Sequence, residues 1–143
     1  MVRKSVLVFI GIISLVWVLQ SLSAAAESQR AVVTPPTGSA ERKVILDTLR
    51  EEIQKLHGID AIFVVRYLKM LNGWVWIETL PKSPDGTSQY EDISALLQKK
   101  GTKWTVAENA CSEEDNEECL GSPDYFKGLK KRFPAMPPEI LPR

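Results

Sequence analysis

The segment "IFVVRYLKMLNGWVWIETLP", residues 62–81, gives the clearest indication of how this chain folds. Two runs rich in β-branched and aromatic residues flank Asn72 and Gly73. Asn-Gly between such runs is the strongest short-range signal of a two-residue hairpin turn. A turn at these two residues places Leu71 opposite Trp74. The sequence therefore predicts an antiparallel β-hairpin.

Side-chain alternation along the two strands predicts two apolar faces. One face carries Phe63, Val65, Tyr67, Trp74 and Trp76, and the other carries Ile62, Val64, Leu68, Met70, Val75 and Ile77. We expect the aliphatic face to pack on a helix. We expect the C-terminal segment to cover the aromatic face as a second core layer. Left uncovered, that face would be an apolar patch able to bind a partner or stack on sugar rings.

The hairpin is preceded by a predicted amphipathic helix, "ERKVILDTLREEIQKLHG", residues 41–58. Its apolar side chains recur at spacings of three and four residues, which is the period of one helix face. These side chains are Ile45, Leu49, Ile53 and Leu56. Ser39 is a suitable N-cap, and Gly58 is a suitable residue for ending the helix.

Three further elements are predicted after the hairpin. Residues 93–110 are expected to form a second hairpin that turns at Lys100 and Gly101. Residues 122–133 form a short helix with Ser122 as N-cap, because proline follows at the first helical position. The tail "PAMPPEILPR", residues 134–143, has four prolines in ten residues and is expected to lie extended over the surface.

This order of elements predicts an α+β domain, in which one long N-terminal helix packs on a curved antiparallel sheet of about four strands. A short C-terminal helix and the proline-rich tail complete it. The layout resembles the cystatin-like and nuclear-transport-factor-like architectures, in which a sheet wraps a long helix. The resemblance concerns the arrangement of elements and no particular motif.

A second resemblance lies in the segments "ERKVILDTLREEI", "FVVRYLKMLNGWVWIETLP" and "SALLQKKGTKWTVAE", followed by a helix and a P-x-x-P tail. In this order they resemble a group of small secreted bacterial proteins of unknown function, over residues 41–143. The chain departs from that pattern at Tyr125 and Phe126, where the group would have a tryptophan. The resemblance implies the fold and an exported location, and it implies no activity.

The N-terminus has the order of a secretory signal peptide. Arg3 and Lys4 precede an apolar run over residues 6–19, and small residues follow at 24–26. We expect cleavage after Ala26, no stable membrane insertion afterwards, and a periplasmic or secreted location; an uncleaved membrane anchor is the alternative. The mature chain would then comprise a flexible lead-in, residues 27–40, and a single domain, residues 41–143.

The charge of the mature chain argues against nucleic acid as a partner. The whole chain has 18 basic and 18 acidic residues. Removal of Arg3 and Lys4 with the signal peptide leaves 16 basic residues and a net charge of about −2. Proteins that bind nucleic acid usually carry a basic patch or a high pI, and a chain this close to neutrality gives no electrostatic argument for such a partner.

The two cysteines, Cys111 and Cys119, are separated by seven residues. An exported protein with two cysteines usually bonds them. A redox dithiol would favour Cys-x-x-Cys, and structural zinc needs four Cys or His ligands, whereas His57 is the sole histidine. We therefore predict a disulfide, and neither a metal site nor a cofactor.

The segment between the cysteines holds five acidic residues, here called the loop acids. They are Glu113, Glu114, Asp115, Glu117 and Glu118. The EF-hand pattern for calcium is not matched. A solvated loop is one interpretation. The functional interpretation is a rigid negative surface that binds a basic envelope protein.

A small polar cluster gives the alternative hypothesis of a pocket between helix and sheet. Its members would be Asp47, Arg66, Glu78 and Tyr90. Arg66 is expected on the core-facing side, paired with Asp47 or a nearby glutamate. We predict a non-enzymatic exported binding protein, of an inhibitor type or an envelope interaction type. A small-ligand-binding protein or an enzyme that uses the pocket is the alternative.

Overall fold

A computed structural model of the chain describes residues 31–111 and 119–143. Its elements are α1 (Ala40–His57), β1 (Ile62–Leu71), β2 (Trp74–Lys82), β3 (Ile93–Lys100), β4 (Lys103–Ala110), α2 (Tyr125–Arg132) and a 3₁₀ turn (Pro138–Ile140). The four strands form one antiparallel sheet in the order β1-β2-β3-β4. The predicted α+β class is confirmed. The predicted signal peptide and the loop acids lie outside the described residues.

Helix α1 begins and ends where its capping residues predict. The Ser39 hydroxyl accepts a hydrogen bond from the backbone amide of Arg42. Gly58 ends the helix in the left-handed region, at φ 66°, where a side chain is unfavourable. Ile45, Leu49 and Ile53 are buried against the sheet. Leu56, the fourth member of the predicted stripe, is exposed near the end of the helix.

The folded unit begins before α1, so this helix is not its N-terminal element, and the sheet is not strongly curled. Val33 and Met70 exchange two backbone hydrogen bonds, of 2.9 and 2.8 Å, at the edge of β1. The Thr34 hydroxyl also donates to the carbonyl of Leu68. The prediction of a flexible lead-in over residues 27–40 therefore differs from the structure, which incorporates the chain from Val32 onward. Unpaired backbone groups of an edge strand explain the docking.

The Asn-Gly turn between β1 and β2 is confirmed. Asn72 and Gly73 both have positive φ, 50° and 75°. Such values at both central residues define the type I′ turn that two-residue hairpins favour. The register pairs Leu71 with Trp74, as predicted. In the second hairpin Lys100 pairs with Lys103, so the turn lies one residue later than predicted.

A β-bulge at Arg66 changes which side chains of β1 face α1. One extra residue in a strand moves the side chains before it to the opposite face. Phe63 and Val65 consequently pack on the core beneath α1. Ile62 and Val64 instead are 53% and 44% exposed. The predicted faces are wrong for these four residues.

The sheet is covered on both faces by separate apolar cores. The first core, beneath α1, contains Ile45, Leu49, Ile53, Leu68, Val75, Ile77, Ala95, Leu97 and Trp104. The second core contains Leu71, Trp74, Trp76, Leu96, Tyr125, Leu129, Met136, Ile140 and Leu141. Because adjacent residues of β2 point in opposite directions, this strand contributes to both cores.

The C-terminal tail is part of the second core, which corrects the prediction of an extended surface segment. Met136, Ile140 and Leu141 are buried there, and residues 138–140 form a 3₁₀ turn. The aromatic rings of Trp74 and Trp76 supply the apolar surface that the tail covers. Helix α2 has eight residues and contributes Tyr125 and Leu129 as its buried side chains. The tail and this short helix therefore together cover the face of the sheet that carries the second core.

Replacement of Ile140 tests whether the tail is buried in the second core. Ile140→Ala removes a fully buried side chain, so we expect the free energy of unfolding to fall by about 2–4 kcal/mol. The neighbouring exposed change Glu139→Ala should alter it by less than about 0.5 kcal/mol. Urea denaturation followed by tryptophan fluorescence measures both. Equal effects of the two changes would contradict a buried tail.

A polar contact ties the start of α1 to the second hairpin. The Trp104 indole N–H donates to Glu41 Oε1 at 2.7 Å, and Lys99 Nζ lies 3.0 Å from the same oxygen. Partial burial raises the pKa of Glu41, but the hydrogen bonds from Lys99 and Trp104 and the charge of Lys99 outweigh it. The net pKa is lowered from its ordinary value of 4.5. The carboxylate therefore stabilises the fold above that value and loses this contribution as the pH falls through its folded-state pKa.

We expect Glu41→Gln to lower the free energy of unfolding at pH 7 by about 1 kcal/mol, since solvent screens this partly exposed contact. The difference from wild type should shrink as the pH falls below 4.5. Denaturant titrations at pH 7, 5, 4 and 3 measure it. Glu51→Gln, an exposed change on the same helix, is the control. A difference that stays constant with pH would contradict the ionic contact.

Candidate functional site

A cleft of about 560 Å³ opens at the C-terminal end of α1, where the helix stops but the sheet continues. We call it the end cleft. Its apolar lining consists of Ile53, Ile59, Pro81 and Ile93. Its polar lining consists of His57, Tyr90, Glu91, Asp92 and Asn109. This volume falls within the range of protein sites that hold small ligands or short peptide segments.

The polar groups of the end cleft are accessible to solvent. Glu91, Asp92 and Asn109 are exposed. Asp92 Oδ2 lies 2.6 Å from the guanidinium of Arg66, in an ion pair that is itself exposed. Within the described part of the chain, the Glu91 carboxylate has no hydrogen-bond or ion-pair partner. The cleft therefore combines an apolar lining with an acidic edge, and the charge of Glu91 is uncompensated there.

The predicted disulfide between Cys111 and Cys119 is present, with the two Cα atoms 4.7 Å apart. Cys111 lines the end cleft, whereas Cys119 is fully buried. The backbone amide of Leu120 donates to the Cys111 carbonyl at 2.7 Å. Both ends of the acidic segment are thus fixed next to the end cleft. The loop acids themselves lie outside the described residues.

The four members of the predicted polar pocket do not come together. Asp47 lies on α1 and pairs with Lys43 and Arg50. Glu78 accepts a hydrogen bond at 3.0 Å from the indole of Trp76, which belongs to the second core on the other side of the sheet. The hydrogen bond from Lys43 lowers the pKa of Asp47.

Of the predicted pocket residues, Tyr90 is the one that lines the end cleft. Its backbone amide donates to the carbonyl of Pro81 at 3.0 Å. The side chain of Arg66 is 53% exposed and pairs with Asp92, so the expectation that it faces the core and pairs with Asp47 or a glutamate is wrong. The bulge at Arg66 explains the difference, because it places an extra residue outside the regular alternation of β1.

The predicted aromatic surface is divided between the two sides of the sheet. Trp74 and Trp76 are buried in the second core, and Tyr67 is partly buried against it. Phe63 packs on the first core, with the guanidinium carbon of Arg50 5.4 Å from its ring centre. These four residues therefore do not form a continuous exposed aromatic patch.

A polar cluster that the sequence analysis did not identify joins α2 to β4. The Tyr125 hydroxyl donates to Glu108 Oε1 at 2.8 Å, and Arg132 also pairs with Glu108. Burial raises the pKa of Tyr125, and the hydrogen bond to Glu108 adds to this effect. The position of Tyr125 in the sequence does not indicate that its hydroxyl pairs with Glu108, which lies on another element. The cluster orients α2 on the sheet.

Two structural findings bear on the kind of site the chain can form. Across residues 31–111 and 119–143, no group of three or more His, Cys, Asp or Glu side chains is placed to hold a metal ion. In the same ranges, no helix has the length and apolar character needed to cross a bilayer.

Comparisons with known proteins add no family assignment. We found no protein-family model, curated protein or solved structure that matches this chain. The resemblance to small secreted bacterial proteins therefore stays a prediction. The class that the fold itself defines is a disulfide-bonded α+β protein with a four-stranded antiparallel sheet and two helices.

Removal of the disulfide tests its contribution to stability. Replacing Cys111 and Cys119 with serine should lower the free energy of unfolding by about 2.5 kcal/mol, because the bond closes a short loop. Urea denaturation with and without reductant measures this difference. The reduced wild-type protein serves as the control and should match the serine variant. A variant as stable as the oxidised protein would contradict a stabilising bond.

Proposed function

We propose that the chain is an exported, non-enzymatic binding protein that recognises a basic envelope protein. The observation that carries the proposal is the position of Cys111, which lines the end cleft and also closes the acidic segment. Cys111, where the acidic segment begins, is therefore adjacent to the acidic edge of the cleft. Export through residues 1–26 belongs to the same proposal and would yield a mature chain that begins at Glu27.

The exposure of the acidic side chains at the end cleft favours a binding function over a catalytic one. Glu91 and Asp92 are open to solvent, whereas catalytic acids and bases usually have burial or close charges that strongly perturb their pKa values. Exposed carboxylates attract a basic surface over several ångströms and select against acidic ones. A binding surface of one sign is the simplest use of this arrangement.

The disulfide favours such a surface because it restricts the segment before a partner arrives. Cys119 is buried, and Leu120 packs against the second core. The acidic segment is thus attached at its C-terminal end to a buried residue beside the second core. Part of the conformational entropy that binding would cost is already lost on folding, which increases affinity.

A second candidate is a small-ligand-binding protein that uses the end cleft alone. Its volume and apolar lining favour this function. In this case the ligand would contact Ile59 and Ile93, which are partly exposed, and the loop acids would be a solvated surface. Binding would then depend little on salt, because apolar burial would supply most of the free energy.

The proposal is tested by capture from an envelope extract with the disulfide-bonded protein as bait. A loop variant carries Glu113→Gln, Glu114→Gln and Asp115→Asn. A matched control carries Glu51→Gln, Glu52→Gln and Glu139→Gln, which removes the same charge elsewhere. We expect wild type and the control to capture the same basic protein in equal amounts. The loop variant should capture at least tenfold less of it.

Mass spectrometry identifies and quantifies the captured protein at two salt concentrations. Salt weakens contacts between exposed charges, so the captured amount should fall between 50 and 300 mM NaCl. Capture by the loop variant at the wild-type level would show that the loop acids are not the binding surface. Salt-insensitive binding of a small ligand in the end cleft would favour the second candidate.

A further inference from the structure

We infer that the end cleft binds a lysine side chain from an extended segment of the basic partner. This inference rests on the proposed function and assigns a distinct role to the cleft. The loop acids would attract the partner, and the cleft would hold one of its side chains.

The apolar lining suits the methylene chain of lysine. Ile59 and Ile93 are partly exposed in the cleft, and Ile53 and Pro81 are buried behind them. A lysine side chain commonly buries its four methylene groups on apolar surface while the ammonium group stays near water. The lining therefore offers a binding contribution that does not depend on charge.

The acidic edge suits the ammonium group. An ammonium has three donors and no acceptor, and a carboxylate has acceptors alone. Glu91 has no partner among the described residues, and Asp92 has a second carboxylate oxygen, Oδ1, beside the one that contacts Arg66. The phenol of Tyr90 and the amide of Asn109 add further acceptors. An anionic ligand would instead meet repulsion from the Glu91 carboxylate.

A second depression of similar volume provides an internal comparison. It lies along α1, has a volume of about 590 Å³, and we call it the helix groove. Its lining residues are Asp47, Arg50, Glu51, Gln54, Lys55 and Asp60. All six are polar, and Arg50 already neutralises Asp47. The helix groove thus has acidic groups and is lined by polar residues alone, so it serves as a comparison for charge attraction at a site without isoleucine side chains.

The volume of the end cleft fits more than one side chain. Sites of this size commonly enclose a drug-sized ligand. A lysine together with the backbone of its neighbours matches that size better than a free amine does. The occupant is therefore a lysine within a peptide segment.

The test is an NMR titration of the ¹⁵N-labelled, disulfide-bonded protein with the tripeptide acetyl-Ala-Lys-Ala-amide. The control peptide has norleucine in place of lysine, so it keeps the apolar stem without the charge. We expect saturable shifts at the amides of Ile59, Ile93 and Asn109, and at least fivefold weaker binding of the norleucine peptide. Shifts confined to the helix groove, or no saturable shifts, would overturn the inference.

Matched variants assign the charge contribution to the cleft. Glu91→Gln should weaken binding of the lysine peptide at least threefold, whereas Glu51→Gln in the helix groove should leave it unchanged. The dispersion of the amide spectrum verifies that each variant is folded. Equal affinity for the lysine and norleucine peptides would show an apolar pocket without charge recognition and would refute the lysine assignment.

The two proposals can fail separately. Loop-dependent capture of a basic protein without lysine binding in the cleft would leave the proposed function standing and remove this inference. Saturable lysine binding in the cleft without loop-dependent capture would support the cleft assignment and remove the role of the loop acids.

Discussion

Burial of β2 on both faces is the constraint on which the rest of the structure depends. Val75 and Ile77 face the core beneath α1, while Trp74 and Trp76 face the opposite core. A strand with large apolar side chains on both sides needs two covering layers. The single long helix covers one side. The chain covers the other side with a short helix and the tail, residues 134–143.

The parts of the fold that the sequence predicts are those governed by local chemistry. The Asn-Gly turn, the Ser39 cap and the Gly58 stop depend on residues within a few positions of each other. The bulge at Arg66 is different, since nothing nearby marks an extra residue in a strand. The bulge moves the side chains of β1 that precede Arg66 to the opposite side of the sheet. Pairing with β2 fixes the position of the bulge. The docking of Val33 likewise depends on an unpaired edge formed elsewhere.

The candidate site likewise has one part that the local sequence predicts and one part that it does not. The pairing of Cys111 with Cys119 can be predicted from two nearby cysteines in a sequence with the features of an exported chain. The end cleft cannot be predicted in this way, because Ile53, Pro81 and Asn109 come from segments far apart in the chain. Its position follows from the length of α1, which ends before the sheet does. The periodicity of apolar residues predicts the length of α1. It gives no information on which strand ends lie beyond the C-terminus of this helix.

The burial of Ile140 and Leu141 has a consequence for the timing of folding. These residues complete the second core, so a growing chain attached to the ribosome cannot close that core until residues 140 and 141 have emerged. Domains generally fold as units, so the layer on this side of the sheet is completed only after all four strands have been synthesised. The same burial means that a segment fused at Arg143 is joined two residues from a buried side chain and requires a linker.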